Sequence, residues 1–64
     1  MSYYITGKDK RFNKSPILYL NIKTGELHHK KILATKFSTE QEAAWKRDLT
    51  AVDNPSYEWK VKKS

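Results

Sequence analysis

The residues of this chain that could do chemistry are mostly cationic, and they gather in its first half. The first 36 residues contain eight Lys or Arg against two acids, whereas the last 28 contain five of each sign, so the net charge of +6 comes from the first half. A segregated set of cations focuses a positive potential and attracts polyanions, whereas the same charges spread evenly would mainly confer solubility. The pattern favours a binding protein.

Lysine and arginine can neutralise phosphates, and Asn or Tyr side chains on an exposed sheet can reach base edges or stack on bases. We therefore predict a surface that binds DNA or RNA. Its candidate residues are Lys8, Lys10, Arg11 and Lys14 in a first loop, and Tyr19, Asn21, Lys23, Lys30 and Lys36 on or near a hairpin. The alternative of a merely solvated lysine face stays open, since lysines outnumber arginines eleven to two and bidentate guanine contacts favour arginine.

Other chemistries have weaker support. His28 and His29 are neighbours on a predicted strand, so their side chains point to opposite faces and cannot converge on a metal ion. HExxH, a glycine-rich phosphate loop and G-x-S-x-G are absent from the sequence, and Glu40 and Glu42 are explained as residues of a helix start. We predict neither an enzyme nor a metal or cofactor site.

Size and composition set the class of protein. Sixty-four residues make one small domain, 1–64, whose limited core must rely on aromatic side chains. The chain has no cysteine, and its longest apolar run, Ile17 to Leu20, is far shorter than the roughly 20 residues of a membrane span. Its first residues do not combine a basic start with an apolar stretch, so we do not expect the protein to be exported. We expect a soluble cytoplasmic protein, monomeric or homodimeric, without a membrane partner.

The clearest local signal is a helix start. Thr39 followed by Glu42, or Ser38 followed by Gln41, forms a capping box, and Asn54 before Pro55 ends the helix. Within it, Trp45, Leu49 and Val52 recur at i, i+4 and i+7, which predicts that this stripe is buried.

Alternating segments predict the strands. Thr24-Gly25 supplies a hairpin turn, and in the last strand Tyr57, Trp59 and Val61 face the core. The predicted strands are 3–6, 17–23, 27–33 and 57–62, with a polar loop over 7–16. The fold class is α+β, a small antiparallel sheet of three to four strands with one helix packed on one face, in the order β-β-β-α-β.

The aromatic residues carry two further predictions. Trp45 and Trp59 lie on the predicted core sides of the helix and last strand, so we expect them to pack against each other. Tyr3 and Tyr4 cannot both be buried on one strand, so one of them is expected to be an exposed contact residue.

A family resemblance points to the same kind of partner. The strands with a Lys-Thr-Gly turn, followed by 36–43 (KFSTEQEA), resemble the small N-terminal arm-binding domains of phage and transposon tyrosine recombinases. In that family a three-stranded sheet backed by a helix lays its face in the DNA major groove. The resemblance covers roughly residues 17–50 and implies that Tyr19, Asn21, Lys23, His28 and Lys30 occupy DNA-facing sheet positions. We expect the chain to depart from the family in its additional last strand and in having no catalytic domain after it.

A second function class remains open. A free-standing protein of this size also resembles small accessory proteins of mobile elements, which inhibit or redirect other proteins. Exposed tyrosines and an unpaired sheet edge could then contact an acidic partner protein by strand addition.

Overall fold

A computed structural model describes residues 2–12 and 14–64; Met1 and Asn13, the latter in the predicted first loop, lie outside the described residues. The described residues form four strands, a 3₁₀ turn and one α-helix. Their bounds are β1 Tyr3–Asp9, β2 Leu18–Asn21, β3 Glu26–His28, the 3₁₀ turn Lys31–Leu33, α1 Glu40–Asp53 and β4 Tyr57–Lys63. The predicted α+β class and element order are confirmed.

The sheet is antiparallel with the strand order β3-β2-β1-β4, so the first strand is central and the last strand is an edge. β1 pairs along its whole length with β4, placing Ile5 opposite Val61 and Gly7 opposite Trp59. It pairs with β2 over a shorter stretch, where Thr6 lies opposite Tyr19.

β1 is longer than predicted, because Gly7, Lys8 and Asp9 belong to the strand and not to the following loop. Residue types in this stretch have little strand preference. Pairing with Trp59, Glu58 and Tyr57 of β4 gives them their extended conformation. The prediction of a loop from residue 7 was therefore wrong.

The return strand of the hairpin is shorter than predicted. Gly25, with a φ of 71°, makes the expected turn, but β3 ends at His28 and the chain enters the 3₁₀ turn. The next segment, 35–37, lies between β1 and β2: Thr35 N donates to Leu20 O at 3.1 Å and Phe37 N donates to Tyr3 O at 2.8 Å. These bonds supply backbone partners where β1 and β2 no longer pair with each other.

The helix begins and ends as predicted. The Thr39 hydroxyl accepts a hydrogen bond from Glu42 N at 3.1 Å, which satisfies one of the free N–H groups of the first turn. Asn54 leaves the helical region, at a φ of −134°, before Pro55.

The face that the helix buries is not the predicted one. α1 packs on β4 and β1 through short side chains, with Ala43 fully buried, whereas Trp45, Leu49 and Val52 are 60%, 49% and 79% exposed. The sheet supplies the bulk of the interface through Trp59 and Val61, so short side chains on the helix let it approach closely.

Trp59 lies on the core side of β4 as predicted, but it does not pack against the exposed Trp45. Its six-membered ring covers Gly7, and its Nε1 donates to Asn54 O at 3.1 Å, which ties β4 to the end of the helix. Tyr57 stacks on Trp59 from the same strand face, with ring centroids 5.5 Å apart.

The core between sheet and helix is small. Ile5, Leu20, Phe37 and Ala43 form its buried centre, and Tyr3, Leu27, Trp59 and Val61 pack around it. In the part of the chain that the structure describes, no helix has the length and apolar character needed to cross a membrane.

Candidate nucleic-acid interface

Alternation along the strands gives the sheet two faces, one of which packs against the helix. The opposite side, together with two lysines that lie over it, is called the outer face here. It comprises Tyr4, Thr6 and Lys8 of β1, Tyr19 and Asn21 of β2, Glu26 and His28 of β3, Glu58, Lys60 and Lys62 of β4, and Lys31 and Lys36 from the connection between β3 and α1. Five lysines and two acids therefore share one side of the molecule.

Two of these lysines lie over the Tyr4 ring, and a third lies opposite Tyr4 on the neighbouring strand. The ammonium groups of Lys31 and Lys36 lie 5.0 and 4.9 Å from the centroid of the Tyr4 ring, and Lys62 is the cross-strand partner of Tyr4. The Tyr19 ring packs on the Tyr4 ring with centroids 5.8 Å apart. Attraction between an ammonium and an aromatic ring favours this arrangement, although the three like charges repel one another.

Tyr4 is consequently only 8% exposed, even though it lies on the side away from the helix. Tyr3, on the other face of the same strand, is half-buried against the core. The prediction that one of these two tyrosines would be exposed was therefore wrong, because lysine stems can cover an aromatic ring while their charged ends stay in water.

A second row of side chains crosses the middle of the outer face. His28 of β3 lies opposite Tyr19 of β2, which lies opposite Thr6 of β1, which in turn lies opposite Lys60 of β4. Thr6 is buried between its neighbours, and its hydroxyl donates to Lys60 O at 3.5 Å. This row is continuous with the lysines around Tyr4.

Glu58 lies at the other end of the outer face, among cations. Its Oε1 is 3.1 Å from Lys60 Nζ, and Lys8 is its cross-strand partner. The hydrogen bond from Lys60 lowers the pKa of Glu58 most, with further lowering by the charges of Lys60, Lys8 and Lys10. The Glu58 carboxylate therefore lies among positive charges, and it neutralises part of their potential.

The first loop uses its arginine within the protein. Arg11 donates from Nε to Asp9 Oδ1 at 3.0 Å and from Nη2 to Oδ2 at 2.8 Å, and its backbone N donates to the same carboxylate at 2.9 Å. These bonds hold the pKa of Asp9 below its ordinary value of 3.8. The arginine charge is largely compensated, whereas Lys10 and Lys14 are exposed.

The remaining predicted residues divide between the outer face and its borders. Asn21 lies on the outer face but holds the hairpin turn, accepting from Lys23 N at 2.9 Å. Lys23 lies at the tip of the hairpin, and Lys30 lies just before the 3₁₀ turn; both are exposed. The structure thus brings Lys8, Tyr19, Asn21, His28 and Lys36 together and places Lys10, Arg11, Lys14, Lys23 and Lys30 in the adjoining loops.

Sequence reasoning missed Lys31, Lys60 and Lys62. Alternation in β4 does carry the signal, because Lys60 and Lys62 interleave with the core residues Trp59 and Val61. The zero net charge of the second half concealed it. The position of Lys31 depends on the path of the connection after β3, for which the sequence gives no comparable pattern.

Residues 2–12 and 14–64 contain no group of three His, Cys, Asp or Glu side chains that could hold a metal ion.

Comparison of the chain with protein-family models, with curated protein sequences and with solved structures finds no match in any of the three. The resemblance to recombinase arm-binding domains stays a prediction.

Proposed function

We propose that this protein is a non-enzymatic nucleic-acid-binding module that docks its outer face on phosphates. The observation that carries the proposal is the convergence of Lys31 and Lys36 on Tyr4, beside Lys62 on the neighbouring strand. Gathering like charges in a folded protein costs free energy, and a bound polyanion relieves that repulsion.

The length of the molecule limits the stretch of duplex that the outer face can contact. The molecule is 31 Å long, which corresponds to about nine base pairs at about 3.4 Å per pair. The five lysines come from three parts of the chain: β1, β4, and the connection between β3 and α1. They can therefore contact several phosphates at once. Docking through a helix-backed sheet face is also what the resemblance to recombinase arm-binding domains implies. The absence of cysteine is compatible with a reducing compartment, so we place this function in the cytoplasm.

The test is a salt titration of binding to a fluorescent 20-base-pair DNA duplex and to an RNA duplex of the same sequence. If four to five phosphates of the DNA duplex are neutralised, the logarithm of the association constant falls with the logarithm of salt concentration at a slope of about −4 to −5. Lys60→Gln/Lys62→Gln should make that slope shallower by about 1 to 2, because the ion pair with Glu58 already compensates part of the Lys60 charge.

A matched control removes the same charge elsewhere. Lys46 lies beside Trp45 on the helix, and Lys63 shares the core-side register of Tyr3, so Lys46→Gln/Lys63→Gln should leave the slope close to that of the unmodified protein. Equal effects of the two double variants would mean that net charge alone attracts the nucleic acid. Failure of the unmodified protein to bind either duplex or their separated single strands at 20 mM salt would reject the proposed function.

A second candidate is a protein-binding modulator of the mobile-element accessory kind. The exposed stripe of Trp45, Leu49 and Val52 favours it, because such a stripe is suited to an apolar groove on a partner protein. The acids Glu42, Asp48 and Asp53 border the stripe by helical spacing, so that groove would carry basic side chains at its rim.

Capture from nuclease-treated cell extract separates this candidate from the first. A protein partner of the helix is retained after nuclease treatment, is lost with Leu49→Lys, and is kept with Ile32→Lys, which changes an exposed apolar residue of the 3₁₀ turn, outside the helix. Capture that is equally sensitive to both substitutions, or that disappears with nuclease, rejects it.

A further inference from the structure

Three outer-face side chains that could read base edges, those of Asn21, His28 and Thr6, are already bonded inside the protein. The Asn21 amide donates from Nδ2 to Leu33 O at 2.7 Å, and its Oδ1 accepts from the backbone N of Lys23 at 2.9 Å and of Thr24 at 3.2 Å. An asparagine that recognises adenine must present both ends of its amide to the base. Asn21 cannot do so without giving up the bonds that hold the hairpin turn.

His28 and Thr6 are engaged in the same way. His28 Nε2 is 3.2 Å from the Thr24 hydroxyl, and the buried Thr6 hydroxyl donates to Lys60 O. Groups that are buried or bonded within the sheet contribute to its stability and are not free to discriminate between bases.

Both arginines of the chain are also occupied. Arg11 forms its two-point pair with Asp9, and Arg47 donates from Nε and Nη2 to Asp48 Oδ1 at 3.2 and 3.1 Å on the helix. The guanidinium is the group best shaped for two-point contact with guanine. The cations left for a ligand are lysines, which act as point charges and suit phosphates.

On the outer face, whose aromatic side chains are Tyr4 and Tyr19, stacking of single-stranded bases is likewise disfavoured. Tyr4 is covered by Lys31 and Lys36, and the Tyr19 ring packs against it, half-buried. Proteins that prefer single strands use open aromatic side chains on which bases stack. A duplex instead offers a higher density of phosphates to a lysine surface.

From these contacts we infer that the outer face binds the phosphate backbone of a DNA duplex without reading its base sequence. The inference rests on the proposed function and narrows it, since it assigns the ligand as duplex and excludes base recognition. Lys31 and Lys36 then contact phosphates of the DNA, and their contribution to the binding affinity is the same for every base sequence.

The experiment measures affinity for three 20-base-pair duplexes, one of mixed sequence, one of A·T pairs and one of G·C pairs, and for the single strand of the mixed sequence. One good base contact changes affinity by about fivefold or more. We expect the three duplexes to agree within about fivefold and to bind more tightly than the single strand at 50 mM salt. Selection from a duplex pool with a randomised centre should enrich no consensus.

Two variants sharpen the result. Lys31→Gln/Lys36→Gln should weaken all three duplexes by the same factor and make the salt slope shallower by about 2, which is the behaviour of phosphate contacts. Tyr19→Phe removes the phenol hydroxyl while keeping the ring, and it should leave the ratios among the duplexes unchanged.

The outcomes separate the inference from the function beneath it. An enriched consensus, a single strand bound more tightly than the duplex, or a change of the duplex ratios with Tyr19→Phe overturns the inference while the nucleic-acid function stands. No binding of any probe by the unmodified protein overturns both.

Discussion

Replacement of Gly7 by alanine tests the packing of the sheet against Trp59. A Cβ added at Gly7 would lie 2.6 Å from Cζ3, 2.9 Å from Cε3 and 3.1 Å from Cη2 of Trp59. The first two separations are below van der Waals contact, so the indole must move. Its Nε1 hydrogen bond to Asn54 O at 3.1 Å would lengthen as it does.

The size of the effect follows from three contributions. Overpacking of a well-filled site costs about 1–3 kcal/mol, and a weakened hydrogen bond adds about 0.5–1.5 kcal/mol. Alanine is better than glycine in a strand interior by about 0.5–1 kcal/mol, which offsets part of the cost. We expect Gly7→Ala to lower the free energy of unfolding by about 2 kcal/mol, and the melting temperature by roughly 8–16 °C in a domain of this size.

Urea and thermal unfolding followed by far-UV circular dichroism measure the change. The control repeats the substitution in a Trp59→Phe background, where the benzene ring attached directly at Cβ no longer reaches the position of the three contacting atoms. The cost of Gly7→Ala should fall there by about 1 kcal/mol or more, as expected for two residues in direct contact. An equal cost in both backgrounds, or a stabilising Gly7→Ala in the parent protein, would refute the packing argument.

Three further predictions concern the cap, the first loop and the outer face. Thr39→Ala removes the acceptor for Glu42 N and should lower the free energy of unfolding, measured by urea titration, by about 1 kcal/mol. Ser38→Ala is the control, because the Ser38 hydroxyl bonds the exposed Glu42 carboxylate. An equal or larger loss with Ser38→Ala would contradict the capping role of Thr39. Arg11 lowers the pKa of Asp9, so the ion pair stabilises the fold at pH values above 3.8, the ordinary pKa of the carboxyl group. That stabilisation is lost as the pH falls below 3.8 and the carboxylate becomes protonated. Asp9→Asn should therefore be less stable at pH 7 and lose less on acidification to pH 2.5, and an unchanged pH dependence would be inconsistent with that. Glu58→Gln should raise the affinity for duplex by up to about fivefold at low salt, because the carboxylate that binds Lys60 is gone. Glu40→Gln, at the start of the helix, removes the same charge and should change the affinity less. Equal effects of the two substitutions would argue against a local role of the Glu58 carboxylate.

Features set by neighbouring residues were predictable from the sequence. The helix start at Thr39, its end before Pro55 and the turn at Gly25 each depend on a few adjacent side chains and on the local backbone. The core side of β4 was also predictable, since alternation within one strand determines it.

Features set by distant residues were not. The helix turns its short side chains inward because Trp59 and Val61 already fill the space above the sheet, and this volume is invisible to the periodicity of the helix itself. For that reason Trp45, the residue that best marked the predicted buried stripe, lies outside.

The candidate site divides along the same line. Lys8 and Tyr19 reach the outer face through strand alternation, which the sequence shows. Lys31 and Lys36 reach it because the connection after β3 bonds to both β1 and β2, a tertiary arrangement without a local pattern. Arg11 was expected to contact phosphates, but a carboxylate two residues away engages it first.

The backbone bridge between Phe37 and Tyr3 links the lysines over Tyr4 to the hydrophobic centre of the domain. Lys36 directly precedes Phe37, so opening of this segment would withdraw a cation from the surface and a buried aromatic ring from the interior in one event. A ligand held by Lys36 would resist that opening, since whatever binds the closed form alone stabilises it. Slower hydrogen exchange at the Thr35 and Phe37 amides in the presence of duplex would then indicate that the duplex is bound at Lys36.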